Sequence, residues 1–113
     1  MRETAAAITA IFAGEMWENE EWIGRAMDAL GDDVYITFDV DYFDPSLMPA
    51  TGTPEPGGMT WYPTLKLLRR VFTEKNVVGA DVVELAPIGG NAAPDFVAAK
   101  LVYKMIAYHG LKR

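Results

Sequence analysis

Val34-Tyr35-Ile36-Thr37-Phe38 is β-branched or aromatic at every position, and Asp39-Val40-Asp41 follows it without a break. A run that is apolar at nearly every position reads as a strand buried on both faces, the pattern of a parallel sheet. Downstream, Val77 to Leu85 reads as a second strand. Between the two, Pro63 suits the first turn of a helix reaching about Lys75, with Leu65, Leu68 and Phe72 on one face. Pro94 opens a final helix to about Tyr108, in which Val97, Leu101, Met105 and Tyr108 form an inward stripe and Gly110 supplies a stop. Strand, helix, strand, helix with continuous apolar strands implies an α/β architecture with a parallel sheet and right-handed crossovers. The sheet implied is part of a larger one.

Upstream, Trp22, Ile23, Ala26, Met27 and Leu30 recur at helical spacing across Asn19 to Leu30, with Gly31 as the residue after the helix. Ala5 to Phe12 is a short apolar stretch expected to be a buried strand ended by Gly14. Trp17, Trp22 and Trp61 are expected to pack, Met48 is open to a core or a ligand role, and Glu15 and Glu18 to Glu21 suit a solvated helix start.

Composition narrows the function. At 113 residues the chain forms at most one domain, and half of its residues are apolar, as in ordinary globular proteins. The net charge of −6, with Lys and Arg scattered, argues against nucleic acid or an anionic membrane as partner, because phosphate binding needs a basic patch. With no cysteine there is no disulfide, thiol nucleophile or Cys-based metal site. No apolar run approaches the ~20 residues that span a bilayer. No signal peptide is legible, so a cytoplasmic protein is the expectation.

Asp39 and Asp41 carry the chemistry. If the extended conformation continues through them, a period of two puts both carboxylates on one side of the chain, where a hard divalent cation would relieve their repulsion. The carboxyl edge of an open α/β sheet is also where ligands bind. Acids after a strand also cap turns, so the pair alone leaves both readings open. The segment that follows, Asp39 to Gly58, is ~20 residues of irregular chain, a length that in compact domains is functional or disordered. Its four prolines favour a fixed path, and Asp44-Pro45 is a ready turn former. Glu84, near the end of the second strand, lies on the same edge as Asp39 and Asp41 if the strands are parallel.

These segments resemble a known family. Thr37-Phe38-Asp39-Val40-Asp41-Tyr42-Phe43-Asp44-Pro45, continued by Pro49-Ala50-Thr51-Gly52-Thr53-Pro54 and Gly57-Gly58-Met59, is similar to the third signature of the ureohydrolases, the family of arginase and agmatinase. Gly79-Ala80-Asp81-Val82-Val83-Glu84-Leu85-Ala86-Pro87 resembles that family's Gly-x-Asp-x-x-Glu-x-x-Pro. The resemblance implies the C-terminal portion of a three-layer, parallel-sheet arginase-like fold. It also implies Mn2+, two ions per complete site, with Asp39 and Asp41 among the ligands. Glu84 matches the glutamate that binds the substrate guanidinium, and Thr53 a second contact beside it. The implied reaction is attack of metal-activated hydroxide on the guanidinium carbon with release of urea. Glu55 after Thr53-Pro54 is closer to agmatinases than to arginases, which favours agmatine over arginine as the small guanidino substrate.

Thr37 stands for the usual Ser, Met59 for Leu, and Trp61-Tyr62-Pro63 for an aromatic-Arg-Glu run. The family's Gly-Gly-Asp-His and Asp-Ala-His-x-Asp ligand segments are absent, and the single histidine, His109, falls in the final helix. The chain alone is therefore expected to be inactive and to associate with itself or with a missing N-terminal half; a non-catalytic assembly module of the same family is the alternative. A phosphatase Asp-x-Asp motif fits less well, since Tyr42 stands where it prefers Thr or Val and no downstream Asp-Asp pair follows. A glycosyltransferase Asp-x-Asp leaves Glu84 and the Thr-Gly-Thr-Pro loop unexplained, and Gly57-Gly58 and Gly89-Gly90 lack the spacing of a nucleotide loop.

Overall fold

β1 (Asp33–Asp39) and β2 (Asn76–Val83) lie side by side in parallel, paired from Asp33↔Asn76 to Asp39↔Val83 with one irregularity after Val34. This is a computed structural model, and it describes residues 8–111. Around the pair run α1 (Ala13–Glu18), α2 (Glu21–Ala29), α3 (Trp61–Glu74) and α4 (Ala93–Leu111), so among the described residues the order of helices and strands is α, α, β, α, β, α. The α/β reading and the parallel pairing hold.

Val34 and Phe38 enter the core with Leu68, Val71 and Phe72 of α3 and Ala98, Leu101 and Met105 of α4. The expectation that β1 is buried on both faces does not hold. Alternation puts Tyr35 and Thr37 on the opposite face, where Tyr35 is 58% exposed. Their hydroxyls donate to the Asp81 carboxylate at 2.9 and 2.7 Å across the strand pair, which raises the Tyr35 pKa because its proton is held by an anion. β1 is therefore an alternating strand with an aromatic on its open side, and composition alone does not distinguish that from double burial.

Other boundaries shift for local reasons. Residues 5–7 of the expected Ala5–Phe12 strand lie outside the described residues. Ile8 to Phe12 form no strand, and α1 runs through Gly14. The Glu15 carboxylate accepts the Phe12 N–H at 2.9 Å and starts a helix there. Pro63 is the third residue of α3, still within the turn whose N–H groups lack helical partners, so its missing donor costs nothing. Gly110 does not stop α4, which continues to Leu111. β2 ends at Val83, before Leu85, because Glu84 turns into the left-handed region at φ +72°.

The long segment after β1 is a core element as much as a loop. Phe43, Met48 and Ala50 are essentially fully buried, which settles Met48 as packing. Phe43 bridges Met59, with the Asp44 N–H on Met59 O at 2.9 Å and the Met59 N–H on Tyr42 O at 3.1 Å, so the loop closes on itself. Gly58 permits that closure. A Cβ there would lie 2.6 Å from Tyr42 O, Phe43 C and Asp44 N, all backbone atoms with nowhere to go. Trp22, Ile23 and Met59 form a second apolar cluster joining α2 to the loop, and Trp61 stacks obliquely on Phe43.

Two outcomes are expected in denaturant unfolding. Gly58→Ala should lose about 1–3 kcal/mol through overpacking. Gly24→Ala, helical and with nothing within 4 Å of the new methyl, should gain about 0.5–1 kcal/mol; equal effects from the two would refute the close-approach argument. Glu84→Gly should be more stable than Glu84→Ala by about 1 kcal/mol, since only glycine relieves the positive φ. An alanine variant as stable as the glycine variant would mean Glu84 is unstrained.

Candidate active site

The register Asp39↔Val83 puts the end of β1 and the residue after β2, Glu84, on one rim of the sheet. The extended path through Asp39 and Asp41 on which the sequence reading was conditioned does not hold. The strand stops at Asp39, whose side chain caps a short 3₁₀ turn, Val40–Tyr42, by accepting the Asp41 N–H at 3.1 Å. An aspartate two residues before a free N–H makes this local bond readily, and that bond outweighs continued pleating. Val40, between the acids, is fully buried and anchors the turn.

Thr53 comes back to this turn. Its hydroxyl donates to Asp41 Oδ2 at 2.7 Å, so the threonine is in direct contact with the carboxylate pair. The family resemblance implies Thr53 beside a substrate; its bond to Asp41 needs the loop's closed path, which residue order does not record. The same loop is also tied to the segment beyond Glu84. Thr51 bridges Leu85 in antiparallel fashion, and the Ala86 N–H donates to Ala50 O at 2.8 Å. Asp39, Asp41, Thr53 and Glu84 thus belong to one edge of the molecule, joined by the loop rather than by side-chain contacts among all four.

Asp44 is the residue that sequence reasoning undervalued. Its carboxylate accepts the Ser46 N–H and hydroxyl and, across the loop, the Gly57 N–H at 2.9 Å. These bonds hold its carboxyl below the usual carboxylate range, the Ser46 hydroxyl contributing most. The stabilisation this brings is present at neutral pH and is lost as pH falls through the lowered value. The Asp-Pro-Ser turn signal was legible; its second partner, 13 residues away, was not. Trp17, read from sequence as packing, is instead 57% exposed and donates its indole N–H to Gly57 O at 2.9 Å.

Two half-buried carboxylates two positions apart at the turn suit a hard cation in kind, though not in number. Among the described residues no three His, Cys, Asp or Glu side chains come together closely enough to hold a metal ion. His109 is remote from the rim's chemistry, its ring edge-on to Phe72 at 6.1 Å. A metal here would be held jointly with ligands from elsewhere. Among the described residues no helix is long and apolar enough to cross a membrane.

Comparison with known proteins agrees with this geometry. An arginase-family profile matches residues 2–107. The N(1)-aminopropylagmatine ureohydrolase of Synechocystis sp. is 45% identical over 104 residues, covering 91% of this chain and 34% of that protein. The agmatinase of Chromobacterium violaceum is 50% identical over 66 residues, covering 58% and 20%. Among solved structures, proclavaminate amidino hydrolase from Streptomyces clavuligerus superposes with a TM-score of 0.84 at 27% identity, over 94% of this chain and 36% of that one. A hypothetical agmatinase from Burkholderia thailandensis gives 0.80 at 30% identity, over 89% and 33%. The chain spans about a third of the length of the relatives it matches. With a profile match over nearly the whole chain and the fold in agreement, the chain belongs to the arginase family.

Proposed function

We propose that this chain forms part of a manganese-dependent ureohydrolase that cleaves a small guanidino compound, releasing urea and an amine, and that agmatine, giving putrescine, is the favoured substrate. The observation that carries the reading is the shared rim: the Asp39/Asp41 turn, with Thr53 bonded to it, and Glu84 stand at the ends of two parallel strands in register. In this reading Asp39 and Asp41 hold the metal pair together with ligands supplied from outside the described residues. When bound, the manganese pair supplies a water of lowered pKa as nucleophile. Glu84 receives the planar guanidinium, which a carboxylate matches in charge and in fork geometry. The left-handed backbone at Glu84 supports that role, because strain at a single non-glycine position is the kind of cost that a site-directed orientation explains. Thr53, by bonding Asp41, fixes the orientation of a ligand carboxylate and lies where a substrate would pass.

A second reading of the substrate follows from the relatives at 45% and 51% identity that are named N(1)-aminopropylagmatine ureohydrolases. The guanidinium end would be handled by the same residues, and the longer amine tail would be read elsewhere. The non-catalytic assembly module of the same family remains the contrasting function, and activity decides between them.

Urea release with Mn2+ should be absent for this chain alone with agmatine, N(1)-aminopropylagmatine or arginine. It should appear when the chain is mixed with a complementary fragment carrying the Gly-Gly-Asp-His and Asp-Ala-His-x-Asp segments. In that mixture Asp41→Ala should abolish activity and Glu84→Gln should lower kcat/KM by about 10²-fold or more. Urea from the chain alone would overturn the shared-ligand reading, and silence in the mixture would favour the assembly module.

A further inference from the structure

We infer that Asp44 and Trp17 are positioning residues that set Thr53 against Asp41 by holding the Gly57 backbone at its N–H and its carbonyl, an inference that rests on the proposed roles of Thr53 and Asp41.

The Gly57 N–H donates to Asp44 at 2.9 Å, and its carbonyl accepts the Trp17 indole N–H at 2.9 Å. Both backbone polar groups of one exposed residue, in the two peptide units that flank its Cα, are therefore satisfied by side chains distant in sequence, one from the start of the loop and one from α1. The residue is also conformationally special, since Gly57 has φ +91° and Gly58 next to it abuts the Tyr42–Asp44 backbone. Asp44 is in turn pinned by its bonds to Ser46 and by its own N–H on Met59 O at 2.9 Å. Gly57 is thus the far anchor of the loop.

What lies between that anchor and the rim is stiff. Thr53 is followed by Pro54-Glu55-Pro56 and then Gly57. Two prolines in three residues lock φ near −65° at alternate positions and make a semi-rigid spacer rather than a flexible tether. A displacement of Gly57 is therefore passed along the spacer to Thr53, whose hydroxyl sits 2.7 Å from Asp41 Oδ2. Outer-shell hydrogen bonds of this kind orient the carboxylates that bind metal. Trp17 contributes little to the core, being largely exposed, and it holds the loop through the bond of its indole N–H. That makes it separable: phenylalanine keeps a ring and removes the donor.

The test uses the full chain and residue-resolved amide hydrogen exchange on Trp17→Phe, Asp44→Ala and Asp44→Asn. In Trp17→Phe, exchange at the bonded loop amides of Gly57 and Met59 should rise about tenfold while amides of β1 and β2 stay within about twofold. Asp44→Ala should act more strongly and Asp44→Asn, which keeps an acceptor for the Gly57 N–H, should recover part of the protection. In the urea-releasing mixture, Trp17→Phe should raise the Mn2+ concentration for half-maximal activity by ~3–10-fold, a change that a loss of folded protein, which lowers only the amplitude, would not produce. Unchanged exchange at the loop, uniform acceleration through both strands, or an unmoved Mn2+ midpoint would each overturn the inference. Should no mixture release urea, the hydrolase reading fails by itself, and the exchange pattern alone decides whether the clamp orders the loop.

Discussion

The parallel pairing of β1 with β2 is the constraint on which the rest of the molecule depends. Two parallel strands cannot be joined by a tight turn; the connection has to travel back the length of the sheet, and here it does so through the Asp39–Gly58 segment and α3. Because both strands point the same way, whatever follows each of them emerges on the same rim. The Asp-Val-Asp turn and Glu84 are neighbours for that reason, although more than 40 residues of chain separate them in sequence. An antiparallel pairing of the same two strands would put the acids at opposite ends.

The crossover serves the rim a second time. Closing a long irregular loop is a modest entropic cost, but fixing every residue within it is a large one. The offset comes from two sources. Phe43, Met48 and Ala50 are buried in the core, so part of the loop is stabilised as core. The Asp44 carboxylate then closes the exposed remainder by joining its two ends. Thr53 lies in the portion that has neither burial nor a ladder to hold it, and depends on these anchors for its place beside Asp41.

Much of this was legible in the sequence, and the failures have a common origin. The two strands, α2, α3 and the stripe of α4 follow from apolar spacing, because burial on one side is a periodic requirement that residue order records. Leu65, Leu68 and Phe72 are buried as their spacing indicates, and Leu101 and Met105 likewise, joined by Pro94 and Ala98. What was missed depends on partners. Tyr35 looks like a core residue until Asp81 supplies its hydroxyl with an acceptor. The turn at Asp39 looks extended until its own carboxylate captures the Asp41 N–H. Ala5 to Phe12 has a strand's composition, yet among the described residues Ile8 to Phe12 pair with no strand. Thr53, Asp44 and Trp17 were visible as residue types; their bonds to Asp41 and Gly57 run 12, 13 and 40 positions along the chain.

α4 shows how the chemistry and the packing are bound together. A surface helix of a globular domain keeps apolar residues on the side facing the core, but this one carries them all round. Pro94, Ala98, Leu101 and Met105 are buried, while Phe96 and Ile106 on other sides are 74% and 67% exposed. Grooves lined by apolar side chains also run along the outer flanks of both strands, past Val77 and Ile106 on one side and past Val34 and Leu68 on the other. The second of these grooves reaches Asp39. In the proposed reading, further chain packed along β1 would cover that apolar flank and end beside carboxylates that gather no third metal-binding side chain among the described residues. The missing burial and the missing ligands are then one requirement, met by the same surface, and an assembly that satisfied the first would bring the second within reach.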